Sequence, residues 1–558
     1  MLYQKIIERN TGKSENRGVQ IYLEVTMTGE RIWLFDTTLR DGGQTRGIDF
    51  TVADKHFIAR TLADFGLDYV EGGWPGANPT DDQFFSKKQD FGTTRLVAFG
   101  MTRRSGRSAE NDPGLSAILN AHSDASCLVG KSWDFHVTTA LNVSLEENLA
   151  MITQSVAAAK AVKQESLFDC EHYFDGYKAN PEYALSCVKA AMAGGADWVI
   201  LCDTNGGCLP EEIFDIVAAT KQAVPECRLG IHCHNDTGMA VANTLAAVRA
   251  GARHVQGTIN GLGERCGNAD LITLIPNLML KMGFVSNIPA EKLVRLTSLS
   301  HAIDERLNRL PDAHAPYVGE AAFAHKGGLH ASAAQKDPRT YEHIPPETVG
   351  NQRTYLISDQ TGKSNILARF AEVGIEIDPK DKRLDGLIGE VKEKEFHGWA
   401  FDSAEASFEL LARRRLGGIP SFFEIGRFRV MDERRFNARG EMVVESEATA
   451  SIIVNGDTHH EVAVGNGPVN AVDTAIRKAL VKVYPQLADV ELVDYKVRIL
   501  PPSEQTSGTA AVTRVLIEFQ DGSGLRWRTV GVSANIIDAS VNALADGICW
   551  KLIHHGNQ

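Results

Sequence analysis

One stretch of the chain, residues 184–204, reads ALSCVKAAMAGGADWVILCDT and joins a segment of helical periodicity to a short β-rich run that ends in polar residues. The same pattern recurs between about Arg31 and Phe284, where the other β-rich runs are IWLFDTT, YVEGGW, RLVAFG, CLVGKSW, SLFDCEHYF, RLGIHCHN and HVQGTING. Eight βα units over roughly 250 residues predict an α/β fold, a (β/α)8 barrel. The alternative, a doubly wound open sheet, lacks the glycine-rich turn expected after its first strand.

The barrel is expected to occupy residues 31–285. Residues 286–419 are expected to form a mostly helical linking region, and residues 420–558 a separate α+β domain. In that last domain, VAVGNGPVNAVDTAI (462–476) and VGVSANIIDASVNAL (530–544) align without gaps. Each copy follows strand-like runs, so the repeat predicts a duplicated βββα unit for association or effector binding. A purely structural duplication is the alternative.

The composition of the chain excludes some classes of protein and indicates the cellular compartment. A net charge of −13 argues against binding nucleic acid through a basic surface, and no apolar run is long enough to span a bilayer. Nine cysteines without a C-x-x-C pair are typical of free thiols in a reducing compartment, so we expect a cytoplasmic protein. Residues 1–30 are expected to be a polar extension, in which Met27 is an alternative start to Met1.

The run RLGIHCHN suggests a metal site. Side chains alternate across a strand, so His232 and His234 share one face while Cys233 points the other way. With Asp41 after strand one, they form a two-histidine, one-carboxylate set that leaves positions on the ion open. That set serves a non-haem Fe(II) oxygenase or a redox-inert Lewis acid that chelates a 2-oxo acid. It accepts Mg, Mn, Zn or Co without distinguishing them.

Neighbouring residues favour the Lewis acid and a 2-oxo acid substrate. Arg40 could bind a substrate carboxylate through two hydrogen bonds, and Thr204 could donate its hydroxyl to the same group. Glu171 and His330 are candidates for proton transfer, because both side chains titrate and can be tuned towards neutral pH. We also expect Asp236 and Thr237 to cap the helical segment AVANTLAAVRAGA that follows strand seven.

Several sequence motifs occur together in this chain. They are LRDGGQ (39–44) with Lys55 at the expected distance, LGIHCHNDTGMAVA (229–242), EHYFDGYKANP, DTNGG, GLGERCGNADL, GGLH and the terminal repeat. They resemble the isopropylmalate, homocitrate and citramalate synthase family, which condenses acyl-CoA with 2-oxo acids on a metal-dependent TIM barrel. The resemblance covers essentially everything after residue 30.

The resemblance implies roles for individual residues. The implied ligands of a divalent metal ion are Asp41, His232, His234 and Asn268. The implied substrate-binding residues are Arg40, Gln44 and Thr204. The implied catalytic residues are Arg40, Glu171, His330 and Tyr341, and the roles of Glu171 and His330 could be exchanged.

Within the family, EGGWPGANPTD, EHYFDGYKANP, AFAHKGGLHASA and TYEHIPPETVGN resemble the citramalate synthase branch. This implies the reaction of acetyl-CoA, pyruvate and water to (R)-citramalate and CoA, in isoleucine biosynthesis. The terminal domain resembles the regulatory domain of the family, which implies a homodimer with isoleucine as effector. Alternatives are an isopropylmalate synthase using 2-oxoisovalerate, a 3-hydroxyacyl-CoA lyase, and a barrel that has become a non-enzymatic amino-acid sensor.

Overall fold

The computed structural model describes residues 29–436, 438–500 and 511–554. Eight parallel strands close into a barrel in chain order, and each predicted β-rich run supplies one of them. The strands are β1 (Trp33–Asp36), β2 (Tyr69–Gly73), β3 (Arg95–Met101), β4 (Ala125–Lys131), β5 (Glu165–Glu171), β6 (Trp198–Asp203), β7 (Leu229–Cys233) and β8 (His254–Gly257). The predicted (β/α)8 barrel is confirmed.

The barrel strands are apolar on both faces because both faces are covered. All six residues of β6 are buried. Its Ile200 and Cys202 lie in an apolar cluster with Phe35 and Leu167 from other strands. The alternate residues Val199 and Leu201 belong to a separate, larger cluster that includes residues of the surrounding helices. The barrel interior is therefore a packed core.

Helices follow the strands and cover the barrel. They are α1 (Val52–Phe65), α2 (Pro79–Phe84), α3 (Pro113–Asn120), α4 (Leu145–Val162), α5 (Tyr173–Ala179), α6 (Pro181–Ala193), α7 (Pro210–Ala223), α8 (Ala240–Arg249), α9 (Leu271–Pro276) and α10 (Leu296–Arg306). Helix α1 begins with a capping box between Thr51 and Asp54, and it ends at Gly66 in the left-handed conformation, with a φ of 114°.

The predicted caps of α8 are wrong. The helix begins at Ala240, and its backbone N–H donates to the Asn235 side chain at 3.1 Å. Asp236 instead receives two hydrogen bonds from the Arg265 guanidinium, at 2.7 and 2.9 Å. Thr237 Oγ1 donates to the Gly206 carbonyl at 2.8 Å. Both predicted caps are engaged by residues far away in sequence.

The described residues fall into two compact units. One runs to Phe323 and includes His343–Gln352, and the other consists of Ala324–Glu342 and the chain from Arg353 onward. The domain limits at 31–285, 286–419 and 420–558 stay predictions. The predicted N-terminal extension, apart from its last two residues, and Met27 lie outside the described residues. Among the helices described, none combines the length and the apolar character needed to span a membrane.

The second unit begins with short elements and continues into helices. They are β9 (Ala324–His325), α11 (Gly328–Lys336), β10 (Thr354–Tyr355), α12 (Lys363–Glu372), α13 (Arg383–Phe396) and α14 (Glu405–Leu416). The two short strands pair in parallel, and the helices α12 to α14 share an apolar cluster around Phe370, Leu387 and Phe408.

The predicted duplication is confirmed in the rest of this unit. The first copy has β11 (Glu424–Phe436), β12 (Met442–Val454), β13 (Asp457–Gly465) and α15 (Pro468–Leu480), and the second has β14 (Glu491–Ile499), β15 (Thr513–Gln520), β16 (Arg526–Ser533) and α16 (Ile536–His554). Each copy forms a three-stranded antiparallel sheet in chain order. Each helix packs on the sheet of its own copy: Ala471 and Ala450 belong to one apolar cluster, and Ala543 and Val515 belong to another.

Candidate active site and metal centre

The two histidines of the β7 run lie side by side at the carboxyl end of the barrel. His232 and His234 are 5% and 7% exposed, and their Nε2 atoms are 3.4 Å apart. Cys233 points the other way and is buried in the apolar cluster that contains residues of the surrounding helices. Strand alternation therefore places the histidines as predicted, and Cys233 serves packing.

Asp41 and Asn268 complete this group from two other loops. Asp41 Oδ2 lies 3.4 Å from His232 Nε2, and Asn268 Nδ2 lies 3.1 Å from both of those atoms. Backbone hydrogen bonds hold the Asn268 loop against β7, since the Ala269 N–H donates to the Cys233 carbonyl at 2.9 Å. In this loop Gly267 has a φ of 87° and its Cα faces the Gly261 carbonyl, so a side chain has no room there.

The donor set fits a divalent ion. Asp41, His232 and His234 each offer one ligand atom, and these atoms lie within 4.8 Å of one another. Asn268 Oδ1 is buried without a hydrogen-bond partner, and turning the amide over brings this oxygen to the position now taken by Nδ2. One carboxylate and two imidazoles suit several divalent ions, so a metal could be held here and its identity is left open.

The protonation states also suit metal binding, which needs an ionised carboxylate and neutral imidazoles. Burial by itself raises the pKa of Asp41, but Arg40 and the two histidines outweigh it and hold the pKa below its ordinary value. Burial, with the neighbouring His232, lowers the pKa of His234 to about 3. At neutral pH, Asp41 is therefore ionised and His234 is neutral.

Arg40 follows β1 and is held in place by two acidic residues and a ring. Its Nε donates to Glu71 Oε2 at 2.7 Å, its guanidinium pairs with Asp41, and its Cζ lies 3.8 Å from the centroid of the Phe99 ring. Burial works against the charged guanidinium, but Asp41 and Glu71 outweigh burial and raise its pKa. The side chain is thus a fixed, permanent positive charge.

Lys55, the distant residue of the first motif, holds the loop that carries Arg40 and Asp41. It is buried on α1, and its Nζ donates to the Leu39 carbonyl at 3.0 Å and to the Gly72 carbonyl at 2.8 Å. It also pairs with Asp81. Lys55 therefore has a structural role beside the site, because it ties β1, β2 and α2 together.

Glu171 and Thr204 lie at the ends of two neighbouring strands. Glu171 Oε2 is 2.5 Å from Nζ of Lys131, its register partner on β4. Thr204 Oγ1 accepts a hydrogen bond from the His172 backbone N–H at 2.9 Å. The hydroxyl hydrogen of Thr204 takes no part in that bond, so it can be donated to a bound molecule.

These side chains surround one cavity of about 260 Å³. The predicted residues in its wall are Arg40, Asp41, Gln44, Glu171, Thr204, His232 and His234. Its wall carries charges of both signs, and Arg40 is paired with Asp41 there and Lys131 with Glu171. Its small volume and these charged groups suit a compact anionic substrate.

Family models match three consecutive parts of the chain. Residues 31–300 match the HMGL-like family, residues 317–396 the homocitrate synthase post-HMGL domain-like family, and residues 402–550 the LeuA allosteric (dimerisation) domain.

Curated relatives match nearly the whole chain. An (R)-citramalate synthase from Aquifex aeolicus is 50% identical over 94% of this chain and 98% of its own length. Another, from Synechocystis sp., is 48% identical over 93% of this chain and 96% of its own length. A probable 2-isopropylmalate synthase from Methanopyrus kandleri is more distant, 32% identical over 93% of this chain and 98% of its own length.

The chain belongs to the (R)-citramalate synthase family. This confirms the expected branch over the isopropylmalate branch, and it confirms an acyltransferase rather than a non-enzymatic sensor. Membership of the (R)-citramalate synthase family also agrees with the observed order of the fold, a closed parallel barrel followed by the duplicated sheets.

Two of the residues predicted to be catalytic in this (R)-citramalate synthase family member, His330 and Tyr341, lie in the second unit. His330 is in the first turn of α11, and its ring centroid is 4.2 Å from that of Tyr341. Tyr341 is 45% exposed. The neighbouring Glu342 is buried and accepts hydrogen bonds from Arg353, and its Oε1 lies 3.0 Å from His325 Nε2. The assignment of His330 and Tyr341 to catalysis stays a prediction.

Several residues of the cavity were not predicted from the sequence. Asp169 could have been found, because it lies two residues before Glu171 and therefore on the same face of β5. Lys131, in the run CLVGKSW, is the last residue of β4, and a polar residue at that position gives a comparable indication. Nothing in the sequence indicated that Trp74 and Phe99 line the cavity, because an aromatic residue in or next to a barrel strand usually belongs to the core.

Proposed function

We propose that this cavity condenses acetyl-CoA with pyruvate and hydrolyses the thioester, which gives (R)-citramalate and CoA for isoleucine biosynthesis. The observation that supports it most is that a guanidinium and a hydroxyl suited to a carboxylate share one small cavity with a group suited to a divalent ion. The names of two relatives that match over nearly the whole chain support the same product.

Arg40 and Thr204 bind the pyruvate carboxylate. Glu71, Asp41 and Phe99 fix the guanidinium before the substrate arrives, so little side-chain entropy is lost on binding. Thr204 donates its free hydroxyl hydrogen to the same carboxylate. Gln44, exposed in the turn after Asp41, lies close enough to contact the bound acid from the cavity wall.

Asp41, His232 and His234 hold the divalent ion, with Asn268 as a fourth ligand through Oδ1. When bound there, the ion supplies Lewis-acid polarisation of the 2-oxo group and stabilises negative charge on its oxygen. Burial of the ligands keeps bulk water from competing for the same positions.

Glu171 and, from the family resemblance alone, His330 are assigned to the proton transfers, in either order. A base removes a methyl proton from acetyl-CoA, the methyl carbon then bonds to the 2-oxo carbon of pyruvate, and the 2-oxo oxygen gains a proton. Water then adds to the thioester carbonyl, and CoA leaves as the thiol. Lys131 holds the Glu171 carboxylate at the cavity wall by their contact of 2.5 Å. Tyr341, whose ring lies beside that of His330, acts with it.

Release of free thiol from acetyl-CoA tests this assignment. Pyruvate, 2-oxobutyrate, 2-oxoisovalerate and 2-oxoglutarate are offered separately to the metal-loaded full-length protein. We expect a strong preference for pyruvate. Preference for 2-oxoisovalerate would assign the chain to isopropylmalate synthesis, and full activity after removal of all metal would refute the role of the ion.

The duplicated sheets form the regulatory and dimerisation module, and isoleucine is its effector. The match of residues 402–550 to the LeuA allosteric domain supports this, as does the observed duplication. The nine unpaired cysteines fit a cytoplasmic location.

To test the regulatory role, thiol release by the full chain is measured with added isoleucine and with leucine as the matched control. A rate that isoleucine leaves unchanged would contradict the proposed effector.

A further inference from the structure

A chain of hydrogen bonds crosses the barrel interior directly below the metal-binding group. His232 Nδ1 lies 2.7 Å from Gln256 Oε1, and Gln256 Nε2 donates to Asp169 Oδ1 at 3.1 Å. Gln256 is fully buried and Asp169 is 3% exposed. The chain links β7, β8 and β5, and His232 and Gln256 are register partners in adjacent strands.

The chemistry of the three groups gives this chain a direction. Gln256 places its amide nitrogen, which can only donate, against Asp169 Oδ1 at 3.1 Å, and a carboxylate oxygen accepts from it. The amide oxygen must then face His232, and an oxygen there requires a proton on Nδ1. The other ring nitrogen, Nε2, is left with a lone pair, and Nε2 is the atom that faces Asp41 and His234.

The opposite arrangement is disfavoured at both ends. If the amide turned over, its oxygen would face the Asp169 carboxylate, which puts two acceptors together in a buried place. Its NH2 group would face Nδ1 of His232, and the ring proton would move to Nε2. A protonated Nε2 has no lone pair to offer a metal ion.

We propose that Asp169, acting through Gln256, fixes the proton of His232 on Nδ1 and so keeps Nε2 free to bind a divalent ion. Asp169 and Gln256 are positioning residues, since they act through His232. The inference rests on the proposed function in that His232 is taken as a metal ligand. The proposal gives a function to the buried side chains of Asp169 and Gln256, which neither the signature motifs nor substrate binding explains.

The replacement Asp169→Asn tests the first link with little change in shape. The introduced amide can donate as well as accept, so Gln256 is released and both tautomers of His232 become populated. Full-length, metal-free protein labelled with 15N at histidine reports the tautomer through two-bond 15N–1H correlations, assigned by comparison with His232→Gln. Mn²⁺ affinity, measured from the free ion by electron paramagnetic resonance, is expected to fall about 10- to 100-fold.

The combined variant Asp169→Asn with Gln256→Glu gives the sharper result. Here the new carboxylate accepts from the introduced amide and from His232 Nδ1–H, so the tautomer and most of the Mn²⁺ affinity are expected to return. Gln256→Glu alone sets two carboxylates against each other and is expected to bind Mn²⁺ more weakly than the pair.

A matched control is Asp203→Asn, a buried carboxylate at the end of β6 whose Oδ2 accepts from the Cys208 backbone N–H at 3.4 Å. It is expected to leave the His232 tautomer unchanged. An unchanged tautomer in Asp169→Asn, or a folded double variant that regains neither property, overturns the inference. The tautomer is read without substrate, so a wild-type protein with Nδ1 protonated but no thiol release from acetyl-CoA and pyruvate would refute the proposed function alone.

Discussion

Replacing Arg40 by lysine keeps the positive charge beside the cavity but removes the planar fork. In the structure two nitrogens of the guanidinium are already committed, Nε to Glu71 and Nη1 to Asp41. Its remaining N–H groups are the ones that bind a substrate carboxylate. A lysine ammonium is a single point and cannot hold Glu71 and the substrate in the same geometry.

The expected loss follows from the number of contacts. A hydrogen bond to a charged group contributes about 1.5–3 kcal/mol, so losing one of two bonds to the pyruvate carboxylate lowers kcat/KM for pyruvate about 10- to 150-fold. The acetyl-CoA thioester does not contact this group in the proposed mechanism. KM for acetyl-CoA is therefore expected to stay within about twofold of the wild-type value.

Initial rates of thiol release give both parameters, with each substrate varied while the other is saturating. Arg60→Lys is the matched control, because Arg60 is exposed on α1 and away from the cavity. It is expected to behave as wild type. If Arg40→Lys changed kcat/KM for pyruvate by less than about threefold, Arg40 would not be the carboxylate-binding residue.

Three further predictions follow from single side chains. Asp41→Asn removes the only carboxylate of the metal-binding group, so metal analysis after dialysis is expected to show less bound ion than in wild type, and equal retention would contradict its role. Thr204→Val removes a hydroxyl of nearly equal size and is expected to lower kcat/KM for pyruvate about 10- to 100-fold, with far-ultraviolet circular dichroism to show that the fold is kept. His254 is fully buried among Phe35, Tyr69 and Trp198, and burial lowers its pKa from 6.5 to about 3. The unfolded chain therefore takes up this proton below pH 6.5 while the folded protein does not, so stability present above pH 6.5 is lost as the pH falls towards 3. Between about pH 6.5 and pH 5, this group lowers the free energy of unfolding of the wild-type protein by about 1.5 kcal/mol, and His254→Leu is expected to lack that part of the decrease. Urea unfolding at several pH values measures it. The same pH dependence of the free energy of unfolding in both proteins would contradict the prediction.

The sequence by itself determined the barrel, the duplicated βββα unit and the face that carries the metal-binding histidines. These features follow from local periodicity. Successive side chains of a β-strand point to opposite faces, so the spacing of His232 and His234 is enough to place both on one face and Cys233 on the other. The positions of Arg40 and Asp41 follow from their place in the loop after β1, because the loops after all strands of a parallel barrel meet at one mouth.

Only the tertiary structure decided which partner each of these side chains takes. Lys131 pairs with Glu171, Gln256 connects His232 to Asp169, and Arg265 takes Asp236 away from the helix it was expected to cap. The physical reason is that the energy of a buried charge or hydrogen bond depends on groups that closure of the barrel brings together, and these are far apart in the chain. Periodicity predicts the face on which a residue lies, whereas its partners depend on how the strands register around the barrel.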